Sequence, residues 1–373
     1  MNFLLLASFS ETMGLIGYIL LALLVLMVMI TVHELGHYIA GKIFKFKINE
    51  FAIGFGPKIF KKTLKSGEVF SVRALPIGGF CAFSGEDEDS DDPSSFNNKK
   101  PWQRIIVLVS GALMNYLLAV LIIITMFNVY GQPALLTYKM DNNTEYLTEY
   151  SFQEKDVILS VEGKNVYMFT DLMSALDNKN QGEIIRAKVK RKGVVQDIFV
   201  QLRTHTYFQN VEDLPRLYSA LGIKYDINDT GQLVNGGLYN TDVKIGFFET
   251  IGKSFEYSFK LAGTVFKVLG QLITGVLGIN SVGGTVTTVS ITAKAIRVGG
   301  LRNLLNIASL IGVNLAVFNL LPFPALDGSR VVFTTIEWIR KKPINRRVEG
   351  LIHTIGLVFL LLFTIMVDLM HCF

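Results

Sequence analysis

Two histidines and a glutamate stand within one short run of this chain, His33-Glu34-Leu35-Gly36-His37. On a helix, positions i and i+4 share one face, so both imidazoles can reach one zinc ion while Glu34 approaches from the flank. Two imidazoles are two of the three protein ligands that a catalytic zinc site usually has. A neighbouring carboxylate can take the proton of a metal-activated water. The run therefore predicts Zn²⁺ bound by His33 and His37, with Glu34 as catalytic base. The alternative is a pair of structural histidines at a helix end.

A third ligand is predicted from the segment 319–328, which reads Asn-Leu-Leu-Pro-Phe-Pro-Ala-Leu-Asp-Gly. Its two prolines break an apolar helix, which frees backbone to shape a site, and the carboxylate of Asp327 follows them. The topology given below puts Asp327 on the same membrane side as His37, and Asp327 is favoured because the broken helix frees backbone to shape a site. His353 is a rival ligand, and an ion pair between Asp327 and Arg330 is the structural alternative.

Two asparagines stand inside apolar stretches. Asn115 follows Gly111 by four residues, and Asn319 opens the segment just described. Close helix packing and an interhelical hydrogen bond are the ordinary meaning of such a pattern. Both are also candidate substrate-binding residues, because an amide can donate to a substrate carbonyl.

The elements that carry these residues are predicted to lie in a membrane. Half of the 373 residues are apolar and 18% are charged, which is too apolar for an ordinary soluble protein of this length. Uncharged or nearly uncharged stretches occur at 14–32, 105–127, 304–321 and 351–370. The first would reach about 28 Å as a helix, about one hydrocarbon core. A cleaved signal peptide is the alternative for it, but the first basic residue, Lys42, comes after the apolar run.

Basic residues predict the orientation, because short loops rich in them stay cytoplasmic. Residues 41–104 hold eleven Lys or Arg and residues 330–347 hold six, whereas 1–32 and 348–373 hold none. Both termini are therefore expected outside, with the zinc site near the cytoplasmic side. Topology and anionic lipid explain these charges, so no nucleic-acid partner is expected. The acidic run 86–92 is interpreted as a solvated loop, with a metal or partner site as the alternative.

The rest of the chain is predicted to hold β-hairpins and a small α+β unit. Short apolar runs broken by turn residues at 46–83 indicate hairpins that touch the membrane. Strands around turns at 138–204, with a short helix capped by Thr170, indicate the α+β unit. Residues 247–277 have the periodicity of an amphipathic helix.

The predicted fold class is a polytopic α-helical membrane protein of about four transmembrane helices, with a membrane-associated β-hairpin region and one inserted α+β domain. The predicted divisions are a first span with the zinc motif (1–45), a β-loop and acidic loop (46–102), a second span (103–130), the α+β domain (131–205), a linker and amphipathic helix (206–300), a third span (301–329), and a basic loop with the fourth span (330–373).

Taken together, the runs 33–37, 111–115 and 319–328 resemble the site-2 protease family of intramembrane zinc metalloproteases, in its bacterial sigma-E-protease form. The resemblance covers nearly the whole chain. It implies that Asp327 is the third zinc ligand, that 46–83 presents substrate in extended form, and that the α+β domain is PDZ-like and extracytoplasmic. It also implies that Asn319 lies near the substrate and that Asn115 is the asparagine of the second-span motif.

The function implied by this resemblance is regulated intramembrane proteolysis in a bacterial plasma membrane. The expected partners are membrane lipid and single-pass transmembrane proteins already shortened by another protease, such as anti-sigma factors or remnant signal peptides. The usual glycine-rich carboxylate-binding loop is not evident before residues 152–156, so a size filter is the expected role of the PDZ-like domain. The alternatives are a catalytically silent PDZ-bearing membrane scaffold and, less favoured, a metal transporter.

Overall fold

The computed structural model describes residues 2–86, 90–141, 150–208, 213–228, 233–278 and 282–370. Its helices are α1 Asn2–Ile43, α2 Pro101–Val129, α3 Phe169–Leu176, α4 Leu214–Leu221, α5 Phe247–Ile273, α6 Thr285–Asn319, α7 Asp327–Arg340 and α8 Arg346–Met370. Its strands are β1 Ile48–Thr63, β2 Val69–Phe83, β3 Gln132–Thr137, β4 Val157–Val161, β5 Lys164–Asn165, β6 Ile184–Arg191, β7 Val194–Gln201, β8 Tyr225–Ile227, β9 Leu233–Gly236 and β10 Leu238–Val243.

Four of these helices are long and apolar enough to cross a membrane: α1 from Gly14 onward, α2, α6 and α8. In the described part of the chain this is the pattern of a polytopic membrane protein. Helix α6 is kinked at Gly300, whose φ of 56° lies in the left-handed region. Glycine adopts that region at little cost because it has no Cβ. The kink divides α6 into two segments, and the second corresponds to the predicted third span.

The chain divides into two compact units, one formed by the parts up to Met126 and from Ile251 onward, the other by Phe127–Thr250. The first unit contains the candidate spans, the β1–β2 hairpin and most of α5. Within it α5 joins α2 through a hydrogen bond between the hydroxyls of Tyr116 and Ser258 at 2.8 Å. The periodicity at 247–277 predicted this helix, which ends at Ile273 in the structure.

Both strands of the hairpin bend, so each pairs twice. Residues 48–53 pair with 79–83 along one side and with 69–72 along the other, while 58–63 pair with 69–73. The bends fall at Gly54, Gly56 and Gly78, all with φ between 85° and 91°. Among the described residues, 79–83 form ladder pairs with β1 alone, so they are an edge of this small sheet.

The second unit is an antiparallel sheet in the order β10-β3-β4-β6-β7, with β5 beside β4. Its apolar face packs α3 and α4 over a core that includes Leu135, Ile158 and Leu217, each 0% exposed. The predicted domain boundary at 205 is wrong, because α4 and β10 belong to this unit and are not a linker. The cap of α3 is also not Thr170, since the helix begins at Phe169 and the Asp171 carboxylate accepts the backbone N–H groups of Tyr167 and Met168.

Candidate metal centre

Small residues bring α1 and α2 into close contact at the predicted motif. A Cβ at Gly36 would lie 2.9 Å from the Cα of Gly111 and would overlap the carbonyl of Ser110. A Cβ at Gly111 would overlap Nε2 of His37 and lie 2.8 Å from Cε1 of His33. Only glycine at these two positions lets the helices approach so closely that both imidazoles lie against the backbone of α2.

The side chains of His33, His37 and Asp327 meet in one cluster. His33 Nε2 lies 3.1 Å from His37 Nε2. Oδ2 of Asp327 lies 3.0 Å from the first of these nitrogens and 3.3 Å from the second. Both histidines are buried, with 8% and 7% of their surface exposed. Residues from α1 and from the first turn of α7 therefore converge on one point.

Hydrogen bonds on the far side of the rings decide which nitrogen carries the proton. His37 Nδ1 is 2.8 Å from the carbonyl oxygen of Val107, which can only accept. The proton of a neutral His37 must therefore be on Nδ1, and the lone pair of Nε2 points into the cluster. Histidines that bind metals usually make a bond of this kind with their other nitrogen. Sequence reasoning missed Val107, because its contribution is a backbone atom.

Asn115 is placed behind His33, one helical turn beyond Gly111. Its side-chain amide lies 3.5 Å from Nδ1 of His33, and the residue is 0% exposed. Its Oδ1 is buried with no partner among the described residues. Full burial beside His33 gives no support to the prediction that Asn115 binds substrate, because the amide has no exposed surface in this structure. The spacing of Gly111 and Asn115 matches that of His37 and His33 along the facing helix, a signal readable from the sequence.

Helix packing on both sides shapes the loop that carries Asp327. Gly328 lies against the carbonyls of Leu320 and Leu321, where a Cβ would overlap them. Gly356 of α8 lies against Pro324, whose carbonyl carbon would be 2.7 Å from a Cβ there. The backbone N–H of Ala325 donates to Nδ1 of His353 at 3.1 Å. The rival assignment of His353 as a ligand is therefore wrong, because this nitrogen instead holds the loop two residues before Asp327.

Glu34 stands between the histidine cluster and the hairpin. Its carboxylate lies within electrostatic range of the backbone N–H of Cys81 and of the side chains of His33, His37 and Asp327. A Cβ at Gly79 would be 3.6 Å from Cγ of Glu34, so the strand edge 79–83 passes directly beside this side chain. Glu34 is half-buried, unlike the two histidines. No pattern in the sequence pointed to Cys81, which again contributes through its backbone.

The remaining candidates have other surroundings. Arg330 pairs with Glu86 and not with Asp327. Asp92 of the acidic run pairs with Lys47 at 2.9 Å, so two ends of that run are tied to the protein, while its residues 87–89 lie outside the described chain. Asn319 is the last residue of α6 and is half-buried, and its side chain makes no hydrogen bond to any described residue.

A family model described as Peptidase family M50 matches residues 21–363 of the chain. That range includes the histidine run, Asn115, Asn319 and Asp327. The match covers far more than half of the chain, so it extends across the candidate spans and the unit between them.

Named relatives agree with this match. A protein of Clostridium perfringens whose name assigns it to the zinc metalloproteases is 34% identical, over 94% of this chain and 96% of its own length. A similarly named protein of Clostridium acetobutylicum is 30% identical over the same shares. The zinc metalloprotease RasP of Bacillus licheniformis is 28% identical, over 90% of this chain and 94% of its own length.

Proposed function

We propose that this chain, which belongs to Peptidase family M50 and is a zinc metalloprotease of the membrane, carries out regulated intramembrane proteolysis. Its substrates are single-pass membrane proteins cut within or beside their transmembrane helix. The observation that carries the proposal is the meeting of His33, His37 and Asp327 on one point, with the Glu34 carboxylate beside them.

The three ligand atoms fit a zinc ion. A tetrahedral site with bonds of about 2.0–2.1 Å has edges of about 3.3–3.4 Å between ligand atoms. The observed separations are 3.0, 3.1 and 3.3 Å. Two imidazoles and one carboxylate are a donor set used by catalytic zinc, which keeps a fourth position for water. His33, His37 and Asp327 would hold the metal.

When bound, zinc acidifies water and polarises the carbonyl of the peptide bond to be cut. Glu34 acts as general base: its carboxylate takes the proton of the attacking water and delivers it to the leaving nitrogen. The strand edge at Gly79 lies beside this carboxylate, and the nearby Cys81 N–H contributes favourably to its charged form. The general base must be a residue other than the metal ligands. Glu34 meets this requirement, because it lies beside the three-ligand cluster without belonging to it.

Each histidine ring is oriented by a hydrogen-bonding group next to its Nδ1, on the side opposite the cluster. The Val107 carbonyl fixes the His37 ring with its lone pair toward the metal. Asn115 does the same for His33 when its side-chain amide, whose Nδ2 lies nearest Nδ1 in the structure, is flipped: Oδ1 then accepts the Nδ1–H and leaves Nε2 free to bind. Asn115 is therefore a positioning residue.

Substrate enters as an extended segment along the edge 79–83. A transmembrane helix hides its peptide groups in internal hydrogen bonds, so it must unwind before cleavage, and unpaired backbone is costly in lipid. Pairing with a strand edge replaces the lost hydrogen bonds. Because this edge also contacts Glu34, a segment that paired there would lie beside the catalytic base. Asn319 is assigned to the substrate side of the site on the strength of its place at the end of α6.

The remaining assignments concern the surroundings of the enzyme. The chain lies in a bacterial plasma membrane with both termini outside, and the site is near the cytoplasmic side, as the distribution of basic residues supports. The unit at Phe127–Thr250 is a PDZ-like domain outside the membrane that excludes substrates not yet shortened by another protease. The substrates are anti-sigma factors or remnant signal peptides.

A paired-variant cleavage assay tests the proposal. A tagged single-pass substrate, truncated outside the membrane, is co-expressed with the wild type, with Glu34→Gln and with Glu154→Gln, an exposed carboxylate of the other unit. Loss of the base should lower the cleavage rate about 10²- to 10⁴-fold, while the surface variant cleaves like the wild type. Cleavage at an undiminished rate by Glu34→Gln would remove Glu34 from the mechanism.

A further inference from the structure

A basic pocket lies away from the metal centre, between the start of α2, the end of α7 and the start of α8. It has a volume of about 860 Å³. One water occupies about 30 Å³ of liquid, so the space is far larger than a single small ion requires. Its lining includes six permanent cations and one carboxylate, Glu337. The cations are Lys99, Arg104, Lys341, Lys342, Arg346 and Arg347.

The single carboxylate is already fully engaged. Glu337 accepts from Arg104 Nη2 at 2.5 Å, from Arg346 Nη2 at 3.0 Å and from the backbone N–H of Ile344 at 2.9 Å. Burial opposes the ionisation of Glu337, but the Ile344 N–H and the Arg104 guanidinium outweigh it and hold the pKa of the carboxyl below its ordinary value. One negative charge is thus shared by two guanidiniums, and the positive charge of the pocket remains in excess.

Arg104 also presents an unmet donor. Its side chain is 5% exposed, and its Nε–H is buried with no partner among the described residues. A buried guanidinium hydrogen without an acceptor is costly, so Arg104 adds an incompletely satisfied positive charge to the wall of the pocket. Guanidinium and ammonium groups together are the donors that recognise phosphate oxygens.

The position of the pocket indicates which phosphate it meets. Two of its walls, at Pro101 and Arg346, are the first residues of α2 and α8, both candidate spans. Trp338 is also in the lining and is 52% exposed. Tryptophan is enriched at the level of lipid headgroups, and basic pockets between membrane helices bind anionic headgroups. We propose that this basic pocket binds the phosphate of an anionic phospholipid.

Tryptophan fluorescence of the full-length protein can test this, because the chain has two tryptophans. Trp102→Phe leaves Trp338, inside the pocket, as the sole reporter. Protein of this background in uncharged detergent is titrated with dihexanoyl-phosphatidylglycerol, with dihexanoyl-phosphatidylcholine and with inorganic phosphate. The expected result is a saturable change with phosphatidylglycerol at concentrations where phosphatidylcholine gives none.

Charge removal makes the test specific. Lys342→Gln with Arg347→Gln removes two lining cations that have no ion-pair partner among the described residues. The dissociation constant for phosphatidylglycerol should rise about 30-fold, from the loss of two basic contacts near the membrane surface. Lys164→Gln with Lys192→Gln, two exposed lysines of the other unit, is the matched control and should leave the dissociation constant unchanged.

The other possible outcomes either identify a different source of the bound phosphate or contradict the proposal. A response to inorganic phosphate at lower concentrations than to the lipid would keep the phosphate site and assign it to a soluble ligand. Equal responses to both lipids, no response to any of the three ligands, or equal binding by both double variants would overturn the proposal.

Discussion

Helix α7 carries a cluster around a carboxylate near each end, half-buried at Asp327 and buried at Glu337, and the two clusters differ in what balances the charge. At its first residue, Asp327 meets two imidazoles whose lone pairs can converge with its oxygen. Near its last turn, Glu337 meets two guanidiniums, at 2.5 and 3.0 Å. Arginine is always charged, whereas a neutral imidazole offers an acceptor in place of a donor.

This difference indicates which cluster needs a metal ion. At the Glu337 end the chain's own guanidiniums balance the carboxylate charge, so this cluster ties α7 to α2 and α8 and has no use for a metal. At the Asp327 end, three acceptor atoms gather within about the edge length of a zinc tetrahedron. Acceptors brought so close repel one another unless a cation lies between them, so this end is built to bind one.

The largest expected effect comes from removing the carboxylate of Glu337. Glu337→Leu leaves the buried guanidinium of Arg104 without its counterion, which should cost about 3–5 kcal/mol of the free energy of unfolding. Titration with sodium dodecyl sulfate in mixed micelles measures this. Arg104→Met combined with Glu337→Leu should recover part of the loss, because it removes a stranded charge. Equal or greater loss in the double variant would contradict this description of the pair.

A second variant disturbs the candidate metal centre without replacing any of its three ligand residues. Gly111→Ala puts a methyl group where Nε2 of His37 lies, so the imidazoles must move. A displacement of about 1 Å at a catalytic centre can cost about 100-fold in rate, and cleavage of the model substrate should fall by about that factor. Gly263→Ala in α5, where a Cβ would meet nothing within 4 Å, is the matched control and should cleave normally.

The positioning role of Asn115 gives a smaller effect. Asn115→Leu removes the acceptor for the His33 Nδ1–H, and loss of such a partner typically weakens metal binding about 10- to 100-fold. Competition with a chromogenic chelator measures the zinc affinity. Asn115→Asp keeps an acceptor at the same place and should restore most of it. Wild-type affinity in Asn115→Leu would show that His33 is oriented by packing alone.

A third carboxylate extends the comparison to pH. Burial opposes the ionisation of Glu50 on β1, but hydrogen bonds from Ser71, Arg73 and Lys58 lower its pKa from 4.5 to about 2. Because the pKa is lower in the folded state, the stabilisation is complete above pH 4.5 and is lost as the pH falls toward 2. At neutral pH the free energy of unfolding of the wild type should exceed that of Glu50→Gln by about 1 kcal/mol. The difference should shrink as the pH falls from 4.5 toward 2. A constant difference in thermal unfolding would contradict the pairing.

The candidate metal centre could largely be predicted from the sequence, because its residues are related by local helical spacing or by membrane topology. The i, i+4 spacing of His33 and His37 fixes one face of a helix, and the distribution of basic residues brought Asp327 to the same side. The structure then brings all three together. The family resemblance to the site-2 proteases is confirmed by the match over residues 21–363.

What escaped prediction depends on the register between elements, which no periodicity encodes. His37 faces the Val107 carbonyl, and Asn115 faces His33, because of the axial offset between α1 and α2. The contact of Glu34 with Cys81 depends on a bend in a hairpin. The end of the second unit at Thr250 was missed because β10 pairs with β3, more than a hundred residues earlier.

The most direct test of the central claim compares matched amide substitutions at the two ends of α7. Zinc is measured by mass spectrometry in the purified wild type, Asp327→Asn and Glu337→Gln, with folded protein isolated by size exclusion. The account predicts about one zinc per chain in the wild type and in folded Glu337→Gln, and less than about a tenth of that in Asp327→Asn, which loses a charged ligand. Full zinc in Asp327→Asn, or none in the wild type, would contradict it.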